Sequence, residues 1–259
     1  MSLPILSLSQ AHLTLLDTCP RKFQYVFDRA LALPGQPQQQ EAATWGNQFH
    51  LLMQQRALGL PIAALAQTHP DMASQITSLE AQAPELFSPV PEERLRQSEH
   101  QRTLLFNGYL LTTVYDLLLL DDNGGHIVDW KSYLRPPSRA RLADAWQTQL
   151  YLYVLAETAN LPPEQITMDY WFVRQHQEGQ LLPPSATRFR YSQPWHDHSR
   201  TRLLQLTENL TALRLQSAEF PKTSHQELCS RCPFQLRCQR LPVEIAVTDV
   251  SAVKEVPLH

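Results

Sequence analysis

Three charged residues near the middle of the chain carry the first suggestion of chemistry. In the run HIVDWKS, Asp129 and Lys131 stand two apart, and in a strand that spacing sends both side chains to one face while Trp130 points to the other. Asp116 interrupts TTVYDLLLL, a run that is otherwise almost continuously apolar. A carboxylate in a strand of that buried kind needs a partner. Asn123-Gly124 between the two runs is a hairpin signal. A hairpin folded about it sets Asp116 opposite Lys131, with Asp129 one diagonal step away. A two-residue slip instead brings Asp116 opposite Asp129 on the same face. Two readings of the trio stay open. One is a buried Asp116–Lys131 ion pair with Asp129 as a solvated neighbour, which desolvates both ions. The other is Mg2+ or Mn2+ held by Asp116 and Asp129, with Lys131 poised near an attacking water or a phosphate.

The cysteines offer a second centre. Cys229, Cys232 and Cys238 are close enough in sequence to ligate one metal site, and Cys19 is the remaining one of the four in the chain. Disulfides are the plain alternative, but Cys-x2-Cys in a cytoplasmic setting points to metal or redox chemistry. Four thiolates suit zinc or a 4Fe–4S cluster, and spacing does not separate the two. A ligand at Cys19 would staple the chain ends together. Elsewhere, Gln149 with Tyr153, and Gln147 with Tyr151, lie four apart on a helical pattern, so each pair shares a face. His50, in WGNQFHLLMQQ, lies in a mostly apolar helical segment. A lone histidine there is as readily a core residue as a ligand.

The elements that must position these residues can be read coarsely. Apolar residues recur at helical spacing from Leu6 to Leu31, and the connector LPGQPQQQ cannot continue that helix. Helices are expected over Glu41 to Leu58 and Asp71 to Gln82, and strands from Arg96 to Tyr133. Ser138 is a fair N-cap for a helix to Thr158. Residues 168–175 and 186–192 read as antiparallel strands, and Pro194 to Leu215 as a long helix. This order predicts an α/β fold with a mixed central sheet flanked by helices. A single domain is expected over 1–241, with a helical insertion at about 60–90 and a loosely ordered tail at 242–259.

Composition narrows the function. Seven glycines in 259 residues form neither a GxxxxGK[ST] cradle nor a GxGxxG turn, which argues against a self-contained ATP motor or a Rossmann enzyme. A net charge of −3 excludes a uniformly basic surface but leaves room for a local basic groove. Arg21, Lys22, Arg135, Arg139 and Arg141 flank the motifs and are candidates to line one. No run approaches the roughly 18 apolar residues of a membrane span. The start of the chain has no basic region before an apolar run, so a cytoplasmic protein without membrane association is expected.

Taken together, TCPRKFQYVF, WGNQFH, the Tyr115-Asp116 pair, VDWK at 128–131, QLYLY at 149–153 and CSRCPFQLRC resemble the iron–sulfur branch of the PD-(D/E)XK nuclease superfamily. That branch includes RecB-like and AddB nuclease domains and CRISPR-associated Fe–S nucleases. The resemblance implies a restriction-endonuclease-like core with Asp116, Asp129 and Lys131 as the catalytic set. It implies His50 and the Trp130 carbonyl as further ligands of Mg2+ or Mn2+. Gln149 and Tyr153 map onto the supporting helix motif, and Cys19, Cys229, Cys232 and Cys238 onto 4Fe–4S ligands, with Zn2+ as the alternative. Thr113, Val114 and Tyr115 stand where the family often carries Gly-x-x-Asp or Gly-x-Asp. The implied activity is metal-dependent hydrolysis of DNA in repair or recombination, exonucleolytic on single-stranded ends or flaps. A separate helicase or a CRISPR adaptation partner would supply unwinding. The alternative from another class is a non-catalytic DNA-binding or adaptor subunit stabilised by its four-cysteine centre.

Overall fold

The computed structural model describes residues 3–31, 37–62, 69–88, 94–216 and 218–240. The expected tail at 242–259 lies outside them. Instead of one N-terminal helix, the chain forms a short strand β1 (Ser7–Leu8), then α1 (Gln10–Thr18), α2 (Pro20–Phe23) and a π-helical turn over Gln24–Asp28. The break falls at Cys19, which is extended at φ −160° and ψ 100°. Pro20 lacks the N–H that a continuing helix would bond, and it starts the next helix instead. Pro37 does the same for α3 (Pro37–Ala57), so the helix begins inside the expected connector. Within the expected helical insertion, α4 (Pro70–Gln82) and a 3-10 turn over Pro84–Leu86 follow.

Three long strands come next: β2 (Leu95–Phe106), β3 (Tyr109–Asp121) and β4 (Gly124–Lys131). The β3–β4 turn corrects the expected register. Asp121 Oδ1 accepts the N–H groups of Asn123 and Gly124 at 2.9 and 3.0 Å, an aspartate turn that closes the hairpin one residue early. Asp121 therefore pairs with Gly124 and Leu117 with Val128. One step further along, Asp116 comes opposite Asp129 and not Lys131. Gly124 is itself constrained, because a Cβ there would lie 2.7 Å from the Gln165 carbonyl.

The expected helix from Ser138 is two: α5 (Arg139–Asp144), capped by Ser138, and α6 (Trp146–Ala159), with extended Ala145 between them. Strand β5 (Ile166–Phe172) runs parallel to β4. A small hairpin of β6 (His176–Gln177) and β7 (Gln180–Leu181) leads to β8 (Ser185–Arg190), antiparallel to β5, and the chain continues into α7 (Gln193–Leu215). The mixed sheet has the order β1-β3-β4-β5-β8, with β2 also on β3. Since β2 covers one edge of β3 along nearly its whole length, β1 and β4 must share the other. β1 takes Leu110 and Leu111, β4 takes Leu117 to Asp121, and Asp116 falls in the gap between them.

Helices cover both faces. Leu117, Leu119, Val128 and Trp130 pack against Phe49, Leu52 and Met53 of α3 and against α4. Leu118, Ile127, Met168 and Tyr170 pack under Tyr151, Leu152 and Leu155 of α6. The other side of α6, with Trp146, Leu150 and Val154, joins α1 and α7. Helix α6 is thus buried on two sides, at the centre of the molecule.

Candidate active site

The site forms where β3 and β4 part. Their ladder ends at Leu117–Val128, and beyond it Asp116 Oδ2 accepts the Trp130 N–H at 2.7 Å. A side chain thus takes the place of a strand bond. The alternation of β3 also changes phase here: Tyr115 packs on the α6 side, whereas Leu117 faces α3. Asp129 is 2 % exposed, and Lys131 Nζ stands 2.7 Å from its Oδ2. That ammonium compensates the buried carboxylate charge at close range. Burial pushes the Asp129 carboxyl up, Lys131 opposes this, and the charge of Asp116 adds to it. For Lys131, burial pulls the ammonium down but the charge and contact of Asp129 outweigh it, leaving the net shift upward. The ion pair expected between Asp116 and Lys131 is thus formed by Asp129, because the register moved by two.

Helix α3 closes the gap from the other side. A Cβ on Gly46 would lie 2.9 Å from Ser132 Oγ, so the helix runs tight against the chain leaving β4, and one turn on His50 reaches the acids. His50 Nδ1 is 3.3 Å from Asp116 Oδ1, and Nε2 is 2.9 Å from the Trp130 carbonyl oxygen. Burial alone would lower the His50 pKa, yet the hydrogen bond and charge of Asp116, the charge of Asp129 and the Trp130 carbonyl raise it to about 9. The imidazolium therefore sits where these oxygen donors favour positive charge.

Glu99 of β2 joins them, a residue the motifs did not single out. Ligand atoms of His50, Glu99 and Asp116 all lie within 4.8 Å of one another. Glu99 is held there by a left-handed backbone, φ 49°, directly across from Asp116. A non-glycine residue in that region costs on the order of 1 kcal/mol. The only signal for it in the sequence is Asn107-Gly108, whose turn sets the β2 register. Oxygen and imidazole donors of His50, Glu99 and Asp116 around one point fit a hard divalent cation.

The glutamine motif resolves to the pair not favoured above. Gln147 Nε2 donates to Asp129 Oδ1 at 2.5 Å, and Gln147 Oε1 accepts from Lys131 Nζ at 2.8 Å. Tyr151 lies one helical turn on, on the same side of α6 and close to the Gln147 side chain. Gln149 instead donates to the Asp144 carbonyl at 3.0 Å, and Tyr153 stacks on His196 at 4.7 Å. The two pairs lie on opposite sides of α6, and only Gln147 and Tyr151 face the acids. Among the candidate groove cations, Arg135, Arg139 and Arg141 are exposed, on the segment that leaves β4 and on α5. Arg21 is buried, donating to the Phe220 carbonyl and to Glu219, so it joins the chain ends and lines no groove.

All four cysteines are free, and they line one cavity together with Lys22 and Lys222. Burial raises the Cys238 pKa, and Cys19 and Cys232 add to the rise against Tyr25 and Arg21.

A family description, the PD-(D/E)XK nuclease superfamily, matches residues 7–239. No curated protein matches significantly. Among solved structures, a provisionally named exonuclease from Eubacterium rectale aligns at 11% identity with a TM-score of 0.54, covering 94% of this chain and 92% of that one. The structure of SSO0001 aligns at 14% identity with a TM-score of 0.41, covering 93% and 90%. Among the described residues, no helix is long and apolar enough to cross a membrane.

Proposed function

Because the chain belongs to the PD-(D/E)XK nuclease superfamily, we propose that it is a Mg2+- or Mn2+-dependent deoxyribonuclease, an exonuclease acting on single-stranded ends or flaps in DNA repair or recombination. One observation carries this reading: His50, Asp116, Asp129 and Lys131, from three separate elements, converge on the gap where β4 leaves β3. Asp116, Asp129, His50, Glu99 and the Trp130 carbonyl are the groups that would hold the metal. A divalent cation bound there would lower the pKa of a water and neutralise the scissile phosphate.

The remaining roles belong to the chain's own residues. Lys131, kept charged by Asp129, stabilises the negative charge that develops as water attacks phosphorus and the ester oxygen leaves. Gln147 bridges Lys131 and Asp129 and fixes both side chains, with Tyr151 behind it. The exposed Arg135, Arg139 and Arg141 offer charge to the DNA backbone. No phosphate-cradling glycine loop occurs in the sequence, so duplex unwinding would come from a separate helicase or from a CRISPR adaptation partner. At the four cysteines we place a 4Fe–4S cluster, supported by the free thiols around one cavity, with Zn2+ as the alternative. A brown, anaerobically purified protein whose visible absorbance bleaches on reduction supports the cluster; a colourless protein with stoichiometric zinc ends it.

The nuclease reading is tested with end-labelled single-stranded DNA, with and without Mn2+. Metal-dependent shortening is expected from the native chain, and Lys131→Ala is expected to lose at least 100-fold of the rate. Undiminished cleavage by Lys131→Ala would overturn the assignment.

A further inference from the structure

The segment leaving the site lends its arginines to the proposed DNA contact, but its exposed Tyr133 and Leu134 have no part in that chemistry. Residues 132–143 read SYLRPPSRARLA, with three arginines, one tyrosine and no acid. Tyr133 is 45% and Leu134 52% exposed, immediately after a strand whose last residue is Lys131. Large apolar side chains left in water beside a reaction centre call for an account.

The segment is held in place. The Val173 N–H donates to the Lys131 carbonyl at 2.9 Å and the His176 N–H to the Leu134 carbonyl at 3.2 Å, which pins it on both sides of Tyr133. The Tyr133 ring lies 6.3 Å from the buried Phe172 ring at 34°, so one part of it is backed by the core. Lys131 Nζ is 6.0 Å from the Tyr133 ring centroid, about the distance between a base and a phosphate of one nucleotide. Among the described residues, Arg135, Arg139 and Arg141 make no ion pair with an acid, and Arg139 is stacked over Phe189 at 4.6 Å. A backed aromatic ring beside the reactive lysine, flanked by unneutralised arginines, has the two components of a single-strand platform: a π-face for a base and cations for its phosphates.

We propose that Tyr133 stacks on an unpaired base next to the scissile phosphate, and that the following arginine segment tracks the single strand away from the site. This rests on the nuclease reading and adds what that reading leaves open: how the site selects a single strand. A paired base has its face covered by the next base pair, so only a splayed base presents a surface to Tyr133.

The test uses the full-length protein and a single-stranded oligodeoxynucleotide carrying 2-aminopurine, whose fluorescence drops when it stacks on an aromatic ring. With Ca2+ in place of Mn2+, the native chain is expected to quench it and Tyr133→Ala to lose the quench. Tyr133→Ala is also expected to weaken single-strand binding by roughly 5- to 100-fold, and Tyr133→Phe to restore both. Equal quenching and affinity in the native chain and Tyr133→Ala, or a failure of Phe to rescue, would overturn the proposal. The nuclease reading fails separately: it falls if the native chain leaves the strand uncut in Mn2+, whatever the quenching shows.

Discussion

At the scale of single residues, the site depends on which side chains hold the reactive ones. Gln147 bonds both Lys131 and Asp129, whereas Gln149 bonds only the Asp144 backbone and side chain. Gln147→Ala should therefore lower kcat by about 10- to 100-fold, the usual effect of removing a group that orients metal ligands. Gln149→Ala should change stability without a comparable loss of rate; steady-state kinetics on the two variants decides between the pairs. Glu99 gives a second prediction. If it is a metal ligand, Glu99→Gln should weaken Mn2+ binding by about tenfold or more, read by titration calorimetry, and unchanged affinity would remove it from the set. Asp116, Asp129 and Lys131 were legible as a group because two apolar strand runs joined by one turn bring them together; which of them pair was not, because the register moved by two and the alternation of β3 changes phase at Asp116. Glu99 was not, because it lies in the polar run SEHQR, where no pattern marks a single member. The glutamine pairs were ambiguous for a different reason: α6 is buried on two sides, so apolar residues occur all round it and conceal which face carries the polar client.

At the scale of elements, the sheet is tied across three strands by one acid. Asp169 on β5 is 1% exposed and bonds Arg188 of β8 through both carboxylate oxygens, at 2.8 and 2.6 Å, with His126 of β4 at 3.1 Å. Burial would raise its pKa, but the Arg188 and His126 bonds outweigh that and hold it at about 2, below the ordinary 3.8. A folded-state pKa below the unfolded one adds stability that is full above about pH 4 and is lost as pH falls through about 2. Asp169→Asn should therefore cost about 2 kcal/mol at pH 7, less than a fully buried pair because Arg188 stays half in water. Urea unfolding of both proteins should show that gap closing between pH 4 and pH 2. A gap independent of pH would mean that the aspartate acts by packing alone. The strands of this sheet were readable from turns and alternation. Strand β1 was not, since two residues give no periodicity and its pairing with β3 is a tertiary choice. The kink at Ala145 was hidden by the helical spacing of Leu142, Trp146 and Leu150, which looks continuous across it.

At the scale of the whole molecule, the two ends are joined by two kinds of contact that should fail separately. Up to Pro221 the joint is made of protein alone. The Arg21 N–H donates to the Pro221 carbonyl at 3.0 Å, its guanidinium to the Phe220 carbonyl and Glu219 at 2.5 Å, and Gln24 exchanges bonds with Ala218 and Phe220 at 3.1 and 2.9 Å. Beyond it, residues 222–240 have little core of their own: Phe234, 8% exposed and edge-on to Tyr25, is the one buried large apolar side chain among them. The metal centre proposed at the cysteines would supply much of the order of this segment. Cys19→Ser would remove the one proposed ligand outside the segment. It should leave the Arg21 and Gln24 bonds in place while 222–240 becomes open to cutting. Limited trypsin digestion followed by mass spectrometry should then show early cleavage at Lys222, Arg231 and Arg237 in the variant and protection in the native chain. If the variant is as protected as the native protein, the cysteines contribute no staple, and the closure of the ends rests on protein contacts such as those of Arg21, Gln24 and Tyr25.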